Sequence, residues 1–145
     1  MVKDFLADIE SAYGSLENPD WSFVLKRLKQ GMHDGLVKQL LDIASVEETT
    51  DPNDDCSRCL FLSSDTQALT LRLSLVGMFS CVHDVDRRFL SDRDLLRTEL
   101  GRALSRLLEA CAVVVVDDVA LRSEVELRRE SLTLYEVLFS SDGLM

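Results

Sequence analysis

The sequence predicts an α+β domain, an antiparallel sheet of about four to five strands packed against three or four helices. Three observations carry this. Leu69, Leu71, Leu73 and Leu75 alternate with Thr70, Arg72 and Ser74, the two-residue period of a strand. Leu95, Leu96, Leu100, Ala103, Leu104, Leu107, Leu108 and Cys111 instead follow the 3.6-residue period of a helix. The overall order is helix, helix, hairpin, helix, hairpin and an ambiguous end, with connections that are short except for an acidic loop, and no linker. Residues 1–145 are therefore read as one domain, with an acidic loop near 46–55.

Each element has its own signal. Val2, Phe5, Leu6, Ile9, Ala12, Tyr13 and Leu16 form an amphipathic stripe over residues 2–16. Asn18-Pro19 predicts a new helix start, with Asn18 as N-cap and Pro19 at the first helical position. Trp21, Val24, Leu25 and Leu28 line one side of that helix. The segment from Gly31 to Gly35 interrupts it, and Leu36, Val37, Leu40, Leu41 and Ile43 resume the pattern with Asp34 as cap. Two short helices around a glycine-containing joint also suit a helix-turn-helix, but the acidic charge opposes DNA binding and favours a packing role. Leu60 to Ser64 and Leu69 to Leu75 read as a hairpin joined near Asp65-Thr66, with one face of the second strand in the core. Gly77 marks a bend, and Met78 to Val82 continue the sheet.

The second half is read in the same way. Ser91, with Asp94 three residues on, starts a helix that runs to Cys111. Its face of Leu96, Leu100, Leu104 and Leu107 is expected to pack on the sheet, with Gly101 as a close packing point. Val113 to Val116 form a short buried strand and Asp117-Asp118 a turn. Val119, Leu121, Val125 and Leu127 then read as a second hairpin arm. Leu132 to Phe139 fit either a strand or a short helix capped by Ser131, and Ser140 to Met145 are expected to fray.

Four cysteines and two histidines are the remaining chemical candidates. Cys56-Ser57-Arg58-Cys59, with Cys81 and His83, holds four ligand types that zinc accepts. The hairpin places Cys59 opposite residue 72, which leaves Cys81 about 9 residues further on, on the order of 30 Å along an extended strand. No metal is therefore expected, and Cys81 and Cys111 read as small buried hydrophobes. The CxxC pair follows an acidic loop and precedes a strand instead of opening a helix, so a thioredoxin-like role is set aside. His83 and Asp84 are neighbours on a strand and point to opposite faces, which does not suit a general base and its orienting acid. No nucleophile elbow, phosphate-binding loop or zinc-protease motif occurs, so no enzyme activity and no cofactor are expected.

Charge narrows the partner. Twenty-six acids against 16 bases give a net charge of −10, which argues against nucleic acid and anionic membrane surfaces. No apolar run approaches the roughly 20 residues of a membrane-spanning helix. The opening residues lack the layout of a signal peptide, so a cytoplasmic location is expected. Pro52 and the polar composition make residues 46–55 a loop. Its acids, Glu47, Glu48, Asp51, Asp54 and Asp55, are the candidate contact for a basic protein partner. A solvated loop is the simpler alternative. A calcium loop lacks its D-x-[DN]-x-[DN]-G pattern here.

In composition and element order the chain resembles bacterial toxin-immunity proteins, which are commonly small acidic domains that cap a basic toxin. Leu71-Arg72-Leu73-Ser74-Leu75-Val76-Gly77 resembles the alternating central strand of some α+β members. The resemblance implies a non-catalytic antitoxin in the bacterial cytoplasm. Class I type III secretion chaperones, which bind effector proteins, are similar in the order of segments 2–16, 59–82, 91–111, 113–128 and 131–139. The helical segment 18–44 departs from that second pattern. Masking a basic toxin surface suits an acidic chain, which favours the immunity reading.

Overall fold

The strands lie side by side in chain order. The computed structural model describes residues 3–141 of the chain. Val2 and residues 142–145 lie outside the described residues. Strands β1 (Ser45–Glu48), β2 (Ser57–Ser63), β3 (Ala68–Ser74), β4 (Phe79–His83) and β5 (Val114–Val115) form one sheet in the order β1-β2-β3-β4-β5. Each neighbouring pair among the first four strands is antiparallel, and β5 runs parallel to β4, so the sheet is mixed and not wholly antiparallel. The parallel step follows from the connection, because α4 (Asp92–Leu95) and α5 (Glu99–Ala110) carry the chain back over one face. The fold is α+β, as the sequence predicts.

Leucine periodicity builds the first layer. Leu60, Leu62, Leu69, Leu71, Leu73 and Val82 point to one face of the sheet. They meet Leu36 and Leu40 of α3 (Asp34–Leu40), Leu95 of α4, and Leu100, Leu104 and Leu108 of α5. Ser91 caps α4, with the predicted reciprocal bonds to Asp94. The single helix expected over 91–111 is broken, because Thr98 caps a second start and accepts from the Gly101 N–H at 3.1 Å. Gly101 is required there: a Cβ would lie 2.1 Å from the Leu95 carbonyl oxygen. The break turns Leu96 outward, where it is 54% exposed, so it leaves the packing face assigned to it.

The other face is covered too, against the expectation of a half-buried β3. Phe5, Ile9 and Tyr13 of α1 (Lys3–Tyr13) pack there with Leu121 of α6 (Asp118–Leu121). Val125 and Leu127 of β6 (Glu124–Leu127) and Leu134, Tyr135 and Leu138 of α7 (Leu134–Leu138) complete the layer. β6 pairs with β7 (Glu130–Thr133) in a separate two-stranded ribbon. The ambiguous stretch 132–139 is thus strand first and helix second. Thr133, not Ser131, caps α7 through a reciprocal pair with Glu136. Asp117-Asp118 is a helix start and not a turn, because the Asp117 carboxylate accepts from the Ala120 N–H at 2.9 Å. Val119 and Leu121 therefore lie on a helix. α2 (Phe23–Lys29) begins four residues after Pro19, without a side-chain cap, so Asn18 does not start it.

Leu104 is fully buried between α5 and the sheet. Leu104→Ala should cost about 2–5 kcal/mol, and Leu96→Ala within about 0.5 kcal/mol. Urea unfolding of the two variants checks this. Equal costs would refute the break between α4 and α5.

Candidate functional site

The acids singled out in the sequence divide into two groups. Ser45–Glu48 is not loop but the outermost strand of the sheet, paired with β2 on one side only. The loop proper is 49–56. Glu47, Asp51 and Asp54 are exposed. Glu48 is engaged by Arg58, whose Nη2 and Nε donate to it at 2.8 and 3.0 Å. Those bonds hold the Glu48 carboxyl below the usual carboxylate range. Arg58 also reaches Asp34 at 2.6 Å, so Asp34 binds a strand side chain and is no cap.

Asp55 is turned inward and is only 5% exposed. Its Oδ1 accepts from Arg72 Nη1 at 3.1 Å and from the Ser140 hydroxyl at 2.8 Å. Its Oδ2 accepts from the Asp51 N–H at 2.9 Å. This removes Asp55 from any partner surface, and its burial means that neutralising all five acids cannot leave the fold intact. Ser140 is fully buried and Ser141 bonds to the Asp54 carbonyl at 2.9 Å, so the chain is anchored there and not frayed. Composition gave one usable signal for this. Between Arg58 and His83, Asp65 and Arg72 are the only charged residues, and a lone arginine in an apolar strand marks a covered face.

The cysteines follow the same face. Cys59 is opposite Arg72 as the hairpin predicts, but Cys81 is opposite Arg72 as well. The turn at 75–78 reverses the chain, so Cys81 is not 30 Å away. The Arg72 position separates the two cysteines across the sheet. Among the described residues no group of three or more His, Cys, Asp or Glu is placed to hold a metal ion. His83 Nδ1 contacts the Asp84 carbonyl at 3.2 Å, while the Asp84 carboxylate accepts the N–H groups of Asp86 and Arg88. That carboxylate orders a turn and does not orient the imidazole. His33 is half-buried, with Nε2 2.7 Å from the Ser74 carbonyl, and burial lowers its pKa. Arg27, one of three bases near the supposed helix-turn-helix, binds the Leu75 and Val76 carbonyls.

What remains exposed is an acidic edge. From residue 39 to 71 the chain has seven acids, Asp42, Glu47, Glu48, Asp51, Asp54, Asp55 and Asp65, and one base, Arg58. At one end of β1 a depression of about 430 Å³ is rimmed by Asp42, Asp65 and Glu99 over Ile43, Leu100 and Ala103. At the other end lie Asp51 and Asp54, with Glu47 between. The arrangement suits a cationic surface. Comparison with protein-family models, curated proteins and solved structures finds no match.

Two outcomes check the division between interior and edge. Asp55→Ala leaves the Arg72 charge buried and should cost about 3–5 kcal/mol, against at most about 0.5 kcal/mol for Glu47→Gln, both read by denaturant unfolding. Burial pushes the Cys56 thiol up to about 12, and Cys59 and Cys81 are buried beside it. A disulfide reagent should therefore modify Cys111 first in the native protein, and the other three only on unfolding.

Proposed function

We propose that this chain is a non-catalytic protein-binding module that neutralises a basic bacterial toxin domain, with the acidic edge as its contact surface. The supporting observation is the run of exposed carboxylates along β1 and its flanks, where Arg58 is the single base and is already engaged by Glu48 and Asp34. Such an edge attracts a basic surface from a distance and competes with the phosphates that a nucleic-acid-directed toxin binds. The carboxylates that define the fold, Asp55 above all, are separate from those that face outward. The surface can therefore be altered without loss of the core.

A second reading, a secretion chaperone for an effector segment, draws on the opposite edge. There Leu96 and Val114 are each more than half exposed beside a depression of about 380 Å³ that Leu108, Val113 and Val115 also line. A chaperone holds an extended apolar client, which suits that groove better than the acidic edge does.

Co-purification identifies the partner, and the variant Glu47→Gln/Asp51→Asn/Asp54→Asn then decides which edge it uses. Slower association by about tenfold at low salt, a flatter salt dependence and an unchanged melting temperature are expected. Association at the wild-type rate, with loss instead in Leu96→Asp/Val114→Asp, would favour the chaperone reading.

A further inference from the structure

We propose that β1 takes up an extended segment of the partner, carrying lysine or arginine, as a sixth strand of the sheet. This rests on the acidic-edge reading and adds how the contact is made. The ladder fixes which backbone groups are available. The Thr49 N–H donates to the Cys59 carbonyl at 2.9 Å, and Glu47 and Ser45 are opposite Phe61 and Ser63. Residues two apart on a strand direct their backbone groups to the same side. Ser45, Glu47 and Thr49 therefore face β2, and the N–H and C=O groups of Val46 and Glu48 face outward. β2 agrees. Its Cys56 and Ser64 bond to Leu75 and Gln67, so its even-numbered residues face β3 and Cys59, Phe61 and Ser63 are left for β1. No strand lies beyond β1 among the described residues.

These outward groups are already in position. Val46 packs against the leucine layer, Arg58 holds Glu48, and Thr50 Oγ1 closes the end of the ladder by accepting from the Cys59 N–H at 3.0 Å. An incoming strand would order itself without reordering β1. Charge selects its chemistry. The edge exposes Asp42, Glu47, Asp51 and Asp54, so a segment with basic residues at alternate positions is attracted. A second copy of β1 would instead set glutamates against glutamates, which is repulsive in cross-strand pairs. Phe61, 39% exposed beside Glu47, offers a ring face for the aliphatic stem or cation of such a residue.

The test uses the full chain and two synthetic octapeptides of alternating lysine and valine. One is all-L. The other alternates L and D residues, with the same charge and composition but no regular strand. The all-L peptide should bind about tenfold more tightly, and only it should slow amide exchange at Val46 and Glu48. Val46→Pro removes an outward N–H and leaves the β1–β2 ladder intact, so it should weaken the all-L peptide to the level of the alternating one. Should that variant not fold, the exchange measurement on the wild-type protein still decides. Equal binding of both peptides without slowed exchange overturns strand addition. In that case, binding lost in Glu47→Gln/Asp51→Asn/Asp54→Asn leaves the acidic-edge reading standing. No binding of either peptide counts against both.

Discussion

Asp55 is where three distant stretches of the chain meet. Its carboxylate is bonded to Arg72 in the middle of β3, to Ser140 beyond α7, and to the backbone of Asp51 in its own loop. A carboxylate and a guanidinium both withdrawn from water are costly unless each is satisfied by its neighbours. This arrangement of strand, loop and tail gives the Asp55 carboxylate three donors, Arg72 among them. The loop geometry follows. Because its last acid is turned in, with Asp55 N–H bonded to the Asp51 carbonyl at 2.7 Å, the earlier acids are left on the rim. The exposed edge and the buried pair are two sides of one turn.

The same face solves a second problem. α7 is five residues long and, like any helix, leaves its final carbonyls without donors of its own. Tyr13 donates to the Val137 carbonyl at 2.6 Å, Ser74 to Leu138 at 2.7 Å, and Ser57 to Phe139 at 2.7 Å. The Cys56 N–H adds a bond to Phe139 at 3.0 Å. Small hydroxyl residues thus stand on the sheet where larger apolar ones would fill space but orphan the helix end. This is why Ser74, which reads as solvent-facing in the sequence, is fully buried, as is Ser57 opposite it on β2.

Much of the first layer was legible, because leucines at period two and period 3.6 have one simple physical cause. The β2–β3 hairpin, its turn at Asp65-Thr66 and the Ser91 cap all follow from local rules. The second layer was not legible, since its logic is non-local: Arg72 and Ser74 look like an outer face until Asp55 and α7 cover them. The break at Thr98 was hidden because its leucine stripe continues almost in phase across the gap. The β6–β7 turn was missed for another reason. Arg128 and Arg129 adopt φ of 53° and 61°, where asparagine or glycine is usual. The Arg128 N–H donates to the Leu16 carbonyl at 2.7 Å, and its guanidinium lies 5.4 Å from the Trp21 ring centre, contacts that hold the turn. Of the candidate site, the sequence indicated the acidic region but not that β1 is a strand or that Asp55 is buried.

The sheet order has a bearing on how the molecule is made. Strands β1 to β5 follow one another in space as in sequence, so the leucine layer is complete once residue 115 has left the ribosome. The opposite face, which α1 partly covers, is completed only by residues 118–140, which bring α6, the ribbon and α7. During that interval Ser57, Arg72 and Ser74, on the same face as Cys81, are without α7 and the tail that later cover them. Water meets the hydroxyls and the guanidinium of that row until the tail takes its place.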